Sequence, residues 1–575
     1  MSDDAATLIK NYDYLWSQQA NFRQLWNTTA QYVLPAWDNF VGELAEGINR
    51  NTRLFDATAV TANERFAAAM EQMLTPRTQK WHKIVPVDSE MEDDQEVHKY
   101  LDSVTNILFS QRYRPKANFA SQCDECYLSL GAFGNAAMFI DEMPGVTIRY
   151  RSVPLNEIVW SLDHSGMVDT VFRKFKFTAK QALQAWGDNA GEKVKEAYEK
   201  NPFIELDFLH CVKPHIEKKR GELGYKGMEW ESWYVGFADR HVIERGGFRT
   251  FPYAIARYRM APREHYGRGP ALAALPAIRT LNEQKKTALR AGQKAVDPPI
   301  LLAEEGVLTP FNQRPGAANY GMLSQDGTPL AQPLQIKPDF HIAETLMQME
   351  ATSINDAFLT SLFQILVQNP QMTATEALIR AQEKGAMIAP AMGRQQSEFL
   401  GPLINRELDI LSRSGILPPA PPQLLQSRGG TRVEYTSPLT RAMRAEEGTA
   451  IMNTIQAIGV LANLDKTVLN VIDMTDAARE LALINGCPAK LLRSLEQIDA
   501  LVQQQTQQAQ AQQMAAQAPQ VSLAAKNLAQ AQQASASATS VNAQPMVPGM
   551  PGIANGQARL PNMPGNMPGG ASAAN

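Results

Sequence analysis

Cysteine and histidine are scarce in this chain, and the scarcity removes several kinds of chemistry. Four cysteines occur in 575 residues: Cys123, Cys126, Cys211 and Cys487. That is no disulfide framework, and it suits a reducing compartment. Cys123-Asp-Glu-Cys126 has the CxxC form, but a zinc site needs a second pair and none has the right spacing. One helical turn apart, the two thiols read as small core or interface residues. His210-Cys211…His215 falls in a strand-like run, where successive side chains point to opposite faces. The eight histidines include no HExxH pair. No GxxxxGK[ST] phosphate loop is present, Lys466-Thr467 has no glycine-rich loop before it, and no GxSxG elbow occurs. No catalytic residue, metal ligand or cofactor site is therefore assigned. No apolar run reaches the length of a membrane span. The opening MSDDAATLIKNYDY lacks the basic start and apolar core of a signal peptide. Basic excess is missing too: 55 Lys and Arg against 59 Asp and Glu give a net charge of −4. A protein that grips phosphates tightly usually shows the opposite balance. A surface along which a polyanion must slide does not need it.

What the chain has is helical periodicity, and residues 270–296 carry it best. Pro270 follows Gly269 and suits the first helical position. Ala271, Leu275, Ile278, Leu289, Gly292 and Val296 recur at helical spacing and predict one apolar stripe. Arg279, Glu283, Lys286, Arg290 and Lys294 form a charged stripe beside it. Asp297-Pro298-Pro299 stops the helix. A second helical rod is expected at 341–366, with Ile342, Leu346, Met349, Ile354, Phe358, Leu362 and Ile365 in register. It carries Glu344, Glu350 and Asp356 and no Lys or Arg. The first rod has five basic residues and one acid. Antiparallel rods of opposite charge can pair with each other or with neighbouring copies.

Elsewhere the spacing predicts helices over 5–34, 56–74 and 95–138, with Asp56 or Thr58 as a cap. Strands are expected at 146–150, 170–177 and 203–212, so 36–265 reads as a mixed α+β body. Residues 300–340, rich in Pro and Gly, suggest small strands and turns. Thr373 and Glu376 have the spacing of a capping box, opening a long helix that runs to about Arg413. Short helices are expected over 440–503. The tail from 503 is rich in Gln and Ala, then in Pro, Gly, Met and Asn; its later part cannot bury enough surface to fold. The glycine pairs Gly131/Gly134 and Gly267/Gly269 read as tight packing or turns. The acidic run at 90–96 reads as a solvated surface.

The string YGRGPALAALPAIRTLNE (266–283), followed by DPP at 297–299, resembles the head-to-tail connector (portal) proteins of short-tailed bacteriophages. LFDATA (54–59), LTPRTQKW (74–81), LGAFGNAAMFIDE (130–142), VDTVFRKF (168–175), MTATEALIRAQEK (372–384) and EFLGPLINRELDILSRSGILPP (398–419) agree in the family's order. The resemblance spans about residues 5–425; residues beyond 440 match weakly.

The resemblance implies a mainly α fold with an α+β body, the phage portal fold of wing, stem, clip and crown, assembling as a cyclic ring of about twelve copies. It implies a wing over 1–265, stem helices at 266–296 and 341–366, and a clip insert at 297–340. A tunnel loop and long wing helix would follow at 367–425, crown helices at 426–503 and a tail at 504–575. It implies a passage for double-stranded DNA at one capsid vertex, contacted non-specifically. The partners would be the terminase motor, the major capsid protein and tail or adaptor proteins, with no membrane. The protein would reside in the virion, and in the host cytoplasm during assembly. Channel candidates are Arg279, Lys286, Arg290 and Lys294 on the first rod, and Gln368, Asn369 and Gln371 in the tunnel loop. Two alternatives stay open: a monomeric adaptor or scaffold, and an enzyme of the packaging machinery.

Overall fold

The structure is a computed structural model that describes residues 2–42, 47–88, 91, 94–143, 147–218, 221–222, 224–302, 312, 314–334, 340–360, 390–426, 430–436, 438–461, 473–484, 498, 501–508, 526 and 529–530. The chain divides into two compact units, Met1–Arg493 and Ser494–Asn575. In the second, residues 501–508 are helical. The first is mainly α with an α+β body.

Helices α1 (Ser2–Gln18) and α2 (Ala20–Val33) replace the single helix expected over 5–34. The break falls at Gln19, whose buried side chain donates to the Ile158 carbonyl at 3.1 Å. Helix α3 (Thr58–Leu74) follows; Asp56 Oδ1 accepts from the Thr58 amide at 2.8 Å and so supports its start. Strand β1 (His82–Pro86) leads to α4 (Gln95–Arg112), capped by Asp94, which accepts from the amides of Glu96 and Val97. One member of the acidic run is therefore a helix cap.

The helix expected over 95–138 is two elements and the start of a strand. Pro115 and the left-handed Asn118 (φ 61°) separate α4 from α5 (Phe119–Phe133). Gly134 (φ 75°) ends α5, and β2 (Asn135–Met143) begins at once. Strands β3 (Thr147–Val153), β4 (Ile158–Leu162) and β5 (Val168–Thr178) follow. Helices α6 (Ala179–Trp186) and α7 (Glu192–Lys200) precede β6 (Glu205–Pro214), β7 (Trp230–Gly236), β8 (His241–Phe248) and β9 (Tyr253–Arg257).

Two antiparallel sheets result, ordered β3-β2-β9 and β4-β5-β6-β7-β8. The larger sheet is covered on both faces because its strands alternate. Leu209 and Cys211 point toward α1, packing with Leu8, Ile9 and Tyr12. Phe208 points the other way, against Ala179, Ala182 and Val194 of α6 and α7. Each fully buried Leu, Ile or Phe contributes about 1.5–3 kcal/mol. The main core lies where α2, α3 and α5 meet the smaller sheet.

Helix α8 (Pro270–Val296) is 27 residues long, with Gly269 at its N-cap and Pro270 in the first turn. The insert that follows contributes β10 (Ile300–Leu302) and β11 (Ala331–Pro333), paired antiparallel. Helix α9 (Phe340–Ala357) returns alongside α8. It ends at Ala357, inside the expected 341–366: Leu359 takes a left-handed φ of 59°, which interrupts the helical ladder. Residues 361–389 lie outside the described residues, and with them the capping box Thr373–Glu376. The long helix is described again from 390. A π-helical stretch, Gln395–Leu400, joins it to α10 (Gly401–Arg413). Pro402 has no N–H to give to the ladder at that joint. Strand β12 (Thr431–Tyr435) pairs with β1. Beyond it, Pro438–Leu461 is one helix of 24 residues, longer than the short segments expected there, followed by Met474–Ile484.

Candidate functional site

The α8–α9 hairpin is held firmly at one end. The loop ahead of α8 closes on itself, Arg268 N donating to Arg259 O at 2.7 Å. Tyr266 enters an aromatic box, with ring centroids 5.2 Å from Phe22, 5.4 Å from Trp26 and 4.4 Å from Trp160. Asn135, at the start of β2, accepts from Gly267 N at 2.7 Å and donates to Gly267 O at 2.8 Å. The glycines expected to mark tight packing do so. A Cβ on Gly269 would lie 2.6 Å from the Gly134 amide nitrogen and 2.8 Å from the Gly131 carbonyl oxygen. Only bare backbone lets the end of α5 approach the start of α8 this closely.

Further along, Asn282 is a polar residue on the buried face of α8. Its Oδ1 accepts from Phe55 N at 2.7 Å and Asp56 N at 3.3 Å, and its Nδ2 donates to Arg53 O at 2.9 Å. The LFDATA segment is thus tied to the rod. Arg257, closing β9, makes a bidentate pair with Glu398 at 2.7 and 2.9 Å, and Arg394 adds a third contact to Glu398 at 3.0 Å. Gln395 Nε2 donates to the Arg257 carbonyl at 2.8 Å. From α9, Ile354 and Phe358 are buried, Phe358 edge-on to Phe66.

The far end is different. Asn282 is the last buried residue of α8. Past it the hairpin is a rod whose α8 side shows Leu289 (50% exposed) and Val296 (89%), and whose α9 side shows Leu346 (47%) and Met349 (65%). Met347 of α9 lines a shallow groove together with Leu289 and Gly292 of α8.

The basic stripe lies along this rod. Arg279, Arg290 and Lys294 are exposed. None of the three has an ion-pair partner among the described residues. Lys286 is half-buried, 3.1 Å from Glu283 and over the Phe55 ring at 5.5 Å. No ion pair joins α8 to α9 among the described residues. Gln368, Asn369 and Gln371 lie outside the described residues.

The groups weighed as metal or redox candidates are core residues. Cys123, Cys126 and Cys211 are buried free thiols, and burial pushes the Cys123 thiol up to about 12. His210 sits between Tyr253 Oη at 2.8 Å and Ser232 Oγ at 3.0 Å, stacked on Tyr234, while Cys211 faces α1. Among the described residues no group of three His, Cys, Asp or Glu side chains could hold a metal ion. No helix among them is long and apolar enough to cross a membrane.

Sequence reasoning missed Asn282, Asn135 and the Arg257–Glu398 pair. The signal for Asn282 was present: an amide on the apolar stripe of a helix needs buried partners. Glu398 lies 141 positions from Arg257, and no periodicity announces the pair.

A body that anchors a two-helix rod at its root and leaves the outer rod bare defines a structural subunit. The family model of the bacteriophage head to tail connecting proteins matches residues 5–492, and this chain belongs to that family. It is 27% identical over 539 residues to the portal protein of Salmonella phage epsilon15, covering 90% of this chain and 94% of that one. It is 25% identical over 517 residues to the probable portal protein of Bordetella phage BPP-1, covering 88% and 92%. A solved neck of an empty gene transfer agent particle aligns at a TM-score of 0.38 and 12% identity, covering 79% of this chain and 98% of that one. That likeness is too loose to carry an argument. As a head-to-tail connector, the protein is a component of the virion.

Proposed function

We propose that this chain is a portal subunit that closes with its copies into a cyclic ring at one capsid vertex. About twelve copies make the ring, in keeping with closed point-group symmetry. Its axis is the passage for double-stranded DNA, inward during packaging and outward during ejection. The first unit divides by role into a wing (1–265), two stem helices, a clip (297–340) and a crown beyond 426. The terminase motor, and later tail or adaptor proteins, dock on the ring, which the major capsid protein surrounds.

One observation carries this reading. The stem is anchored through Asn135, Asn282 and Arg257, yet its outer half exposes Leu289, Val296, Leu346 and Met349 together. Apolar surface concentrated on an extended rod calls for a covering partner, and in a head-to-tail connector that partner is the next copy. The protein acts by position and not by catalysis; its phosphate contacts are weak and repeated. Arg279, Lys286, Arg290 and Lys294 supply these from the stem, and Gln368, Asn369 and Gln371 from the tunnel loop. The net charge of −4 favours sliding over gripping.

The test is the mass of the purified protein in solution, with negative-stain images of the same sample. Rings with a central hole of about 20 Å or more, wide enough for a duplex, support the reading. A monomer at every concentration overturns it and favours an adaptor.

A further inference from the structure

The edge of a sheet is where strand backbone can still bond to another chain. Three of the four edges of the two larger sheets are taken. On β3, the Tyr150 amide donates to the Ala117 carbonyl at 3.1 Å and the Ser152 amide to Gln122 Oε1 at 2.6 Å. On β4 the Ile158 carbonyl accepts from Gln19, and on β9 the Arg257 carbonyl accepts from Gln395. Strand β8 is the fourth edge. Among the described residues its outer backbone groups bond to nothing.

The ladder fixes which groups these are. The His215 amide donates to the Glu229 carbonyl at 2.9 Å, and the Phe237 amide to the Asp207 carbonyl at 3.1 Å. Odd-numbered residues along β7 therefore turn their backbone toward β6, and even-numbered ones toward β8. In an antiparallel pair a residue gives both its N–H and its C=O to one neighbour. Trp230, Ser232 and Tyr234 engage Phe248, Gly246 and Glu244, so the N–H and C=O of Arg245 and Gly247 point outward.

This edge is shaped for approach. Gly247 has no side chain, and no described residue comes within 4 Å of a would-be Cβ on Gly246. Glycine within a strand often marks where another backbone comes close. The turn at Tyr225–Gly227 lies over the sheet face and not over the edge. The Tyr225 ring covers the Arg245 guanidinium at 4.7 Å, and Met228 fills the space that a Cβ on Gly247 would take. Charge says what approaches. From 240 to 249, Arg240, Arg245 and Arg249 are exposed, against Glu244 as the one acid. Arg240 and Arg249 have no ion-pair partner among the described residues, and Arg245 shares Glu231 with Lys213.

We propose that β8 is a docking edge for an acidic, extended segment of a different protein. The segment adds a sixth strand to the five-stranded sheet through the N–H and C=O of Arg245 and Gly247. Its carboxylates meet Arg240 and Arg249. A second copy of this chain does not fit the role. With the other three edges taken, it offers β8 only its own β8, and such a pairing is two-fold. Neighbours in a cyclic ring are not related by a two-fold axis; this step rests on the ring reading above.

The test compares amide exchange, resolved to single residues by mass spectrometry, in the purified full-length protein and in intact virions. The amides of Arg245 and Gly247 should exchange freely in the purified protein and become protected in the virion. Gly246, bonded to Ser232, should be protected in both. Protection already present in the purified protein, or absent from the virion, overturns the proposal. Arg249→Lys then identifies the occupant. A water-soluble carbodiimide joins a lysine amine to a carboxylate with loss of water, and itself leaves as the urea. In virions carrying this variant a new link should map to an acidic stretch of another protein, with no counterpart in the parent. A link to a second copy of this chain, or no new link, overturns the proposal. Arg240→Glu/Arg249→Glu changes exposed side chains only and should abolish the protection gained in the virion. If protection persists, the segment is not acidic and the proposal falls. Absence of rings from the purified protein overturns the ring reading and leaves the exchange and cross-linking comparisons decisive for β8.

Discussion

Asn282 of α8 holds the backbone of Phe55 across 227 positions of sequence, through a 2.7 Å hydrogen bond from the Phe55 amide. The same side chain also receives the Asp56 amide and donates to the Arg53 carbonyl. A single amide thus fastens a loop of the body to the stem. Asn282→Leu leaves these loop groups near a buried apolar side chain. A buried polar group stripped of its partner costs about 1–3 kcal/mol. Asn282→Leu should therefore lower stability by about 2–4 kcal/mol and open residues 53–56 to proteolysis, with the stem helix retained. Thermal unfolding and limited digestion check both.

Two glycines make a contrasting pair. Gly134 has φ of 75°, and its missing side chain leaves room for Arg268 and Gly269. Gly134→Ala meets strain and backbone together and should cost more than about 2 kcal/mol. Gly292 lies within α8, and no described residue comes within 4 Å of its would-be Cβ. Gly292→Ala should stabilise the stem by up to about 1 kcal/mol, because alanine is the better helix former. Denaturant midpoints of the two variants should move in opposite directions.

Arg112 and Glu407 form a fully buried ion pair between α4 and α10, and Glu407 also accepts the Tyr150 hydroxyl proton. Removing one partner leaves a buried charge alone. Glu407→Leu should cost about 3–5 kcal/mol. The double variant Arg112→Met/Glu407→Leu should recover much of that loss, since an apolar pair of similar volume replaces a costly one. A double-mutant cycle by chemical denaturation reads the coupling directly.

Acid should weaken the body through two buried imidazoles. Burial and the neighbouring Arg112 guanidinium hold His82 well below its ordinary 6.5, and burial with Arg173 holds His210 at about 3. In the unfolded chain both take up a proton near 6.5, whereas in the folded protein they do not. Their contribution to stability is whole above pH 6.5 and is lost progressively as the pH falls from there toward 3. Among the described residues both ring nitrogens of His82 lack hydrogen-bond partners, and Trp81 and Phe109 pack on it. His82→Phe should therefore be near neutral at pH 8 and shift acid unfolding to lower pH. The unfolding midpoint across pH 4–8 tests this.

Local signals carried the stem helix, the start of α3 at Asp56 and the alternating strands. Pro270, the 3.6-residue stripe and Asp297-Pro298-Pro299 mark α8 without reference to any other part of the chain. The errors came where tertiary contacts override periodicity. Gln19 breaks the first helix to reach Ile158, and Leu359 ends α9 by a left-handed turn that a leucine rarely adopts. At the root of the stem only the glycine pairs were legible, as tight packing. Its anchors, Asn135 to Gly267 and Arg257 to Glu398, join segments more than a hundred residues apart. The exposed apolar stripe of α9 was read as simple helical spacing. Its significance emerges only once Met347, Ile354 and Phe358 are seen to fill the inward face.

The charge of the stem gives the last prediction. Arg279 and Arg290 are exposed and without ion-pair partners among the described residues, so neither is needed to hold the hairpin together. Replacing both with glutamine should leave folding and ring mass unchanged, as surface substitutions usually shift stability by no more than about 0.5 kcal/mol. In a closed ring each change is repeated in every copy, so removing one weak phosphate interaction per subunit removes it all around the channel. Counterion release makes such interactions salt-dependent, with the logarithm of affinity falling linearly with the logarithm of salt. The Arg279→Gln/Arg290→Gln ring should bind duplex DNA more weakly at low salt and with a shallower salt slope than the parent, and the two should converge as salt rises. DNA retention by purified rings across a salt series measures this. An unchanged slope would place these side chains away from the channel, on the outside of the ring or between its subunits.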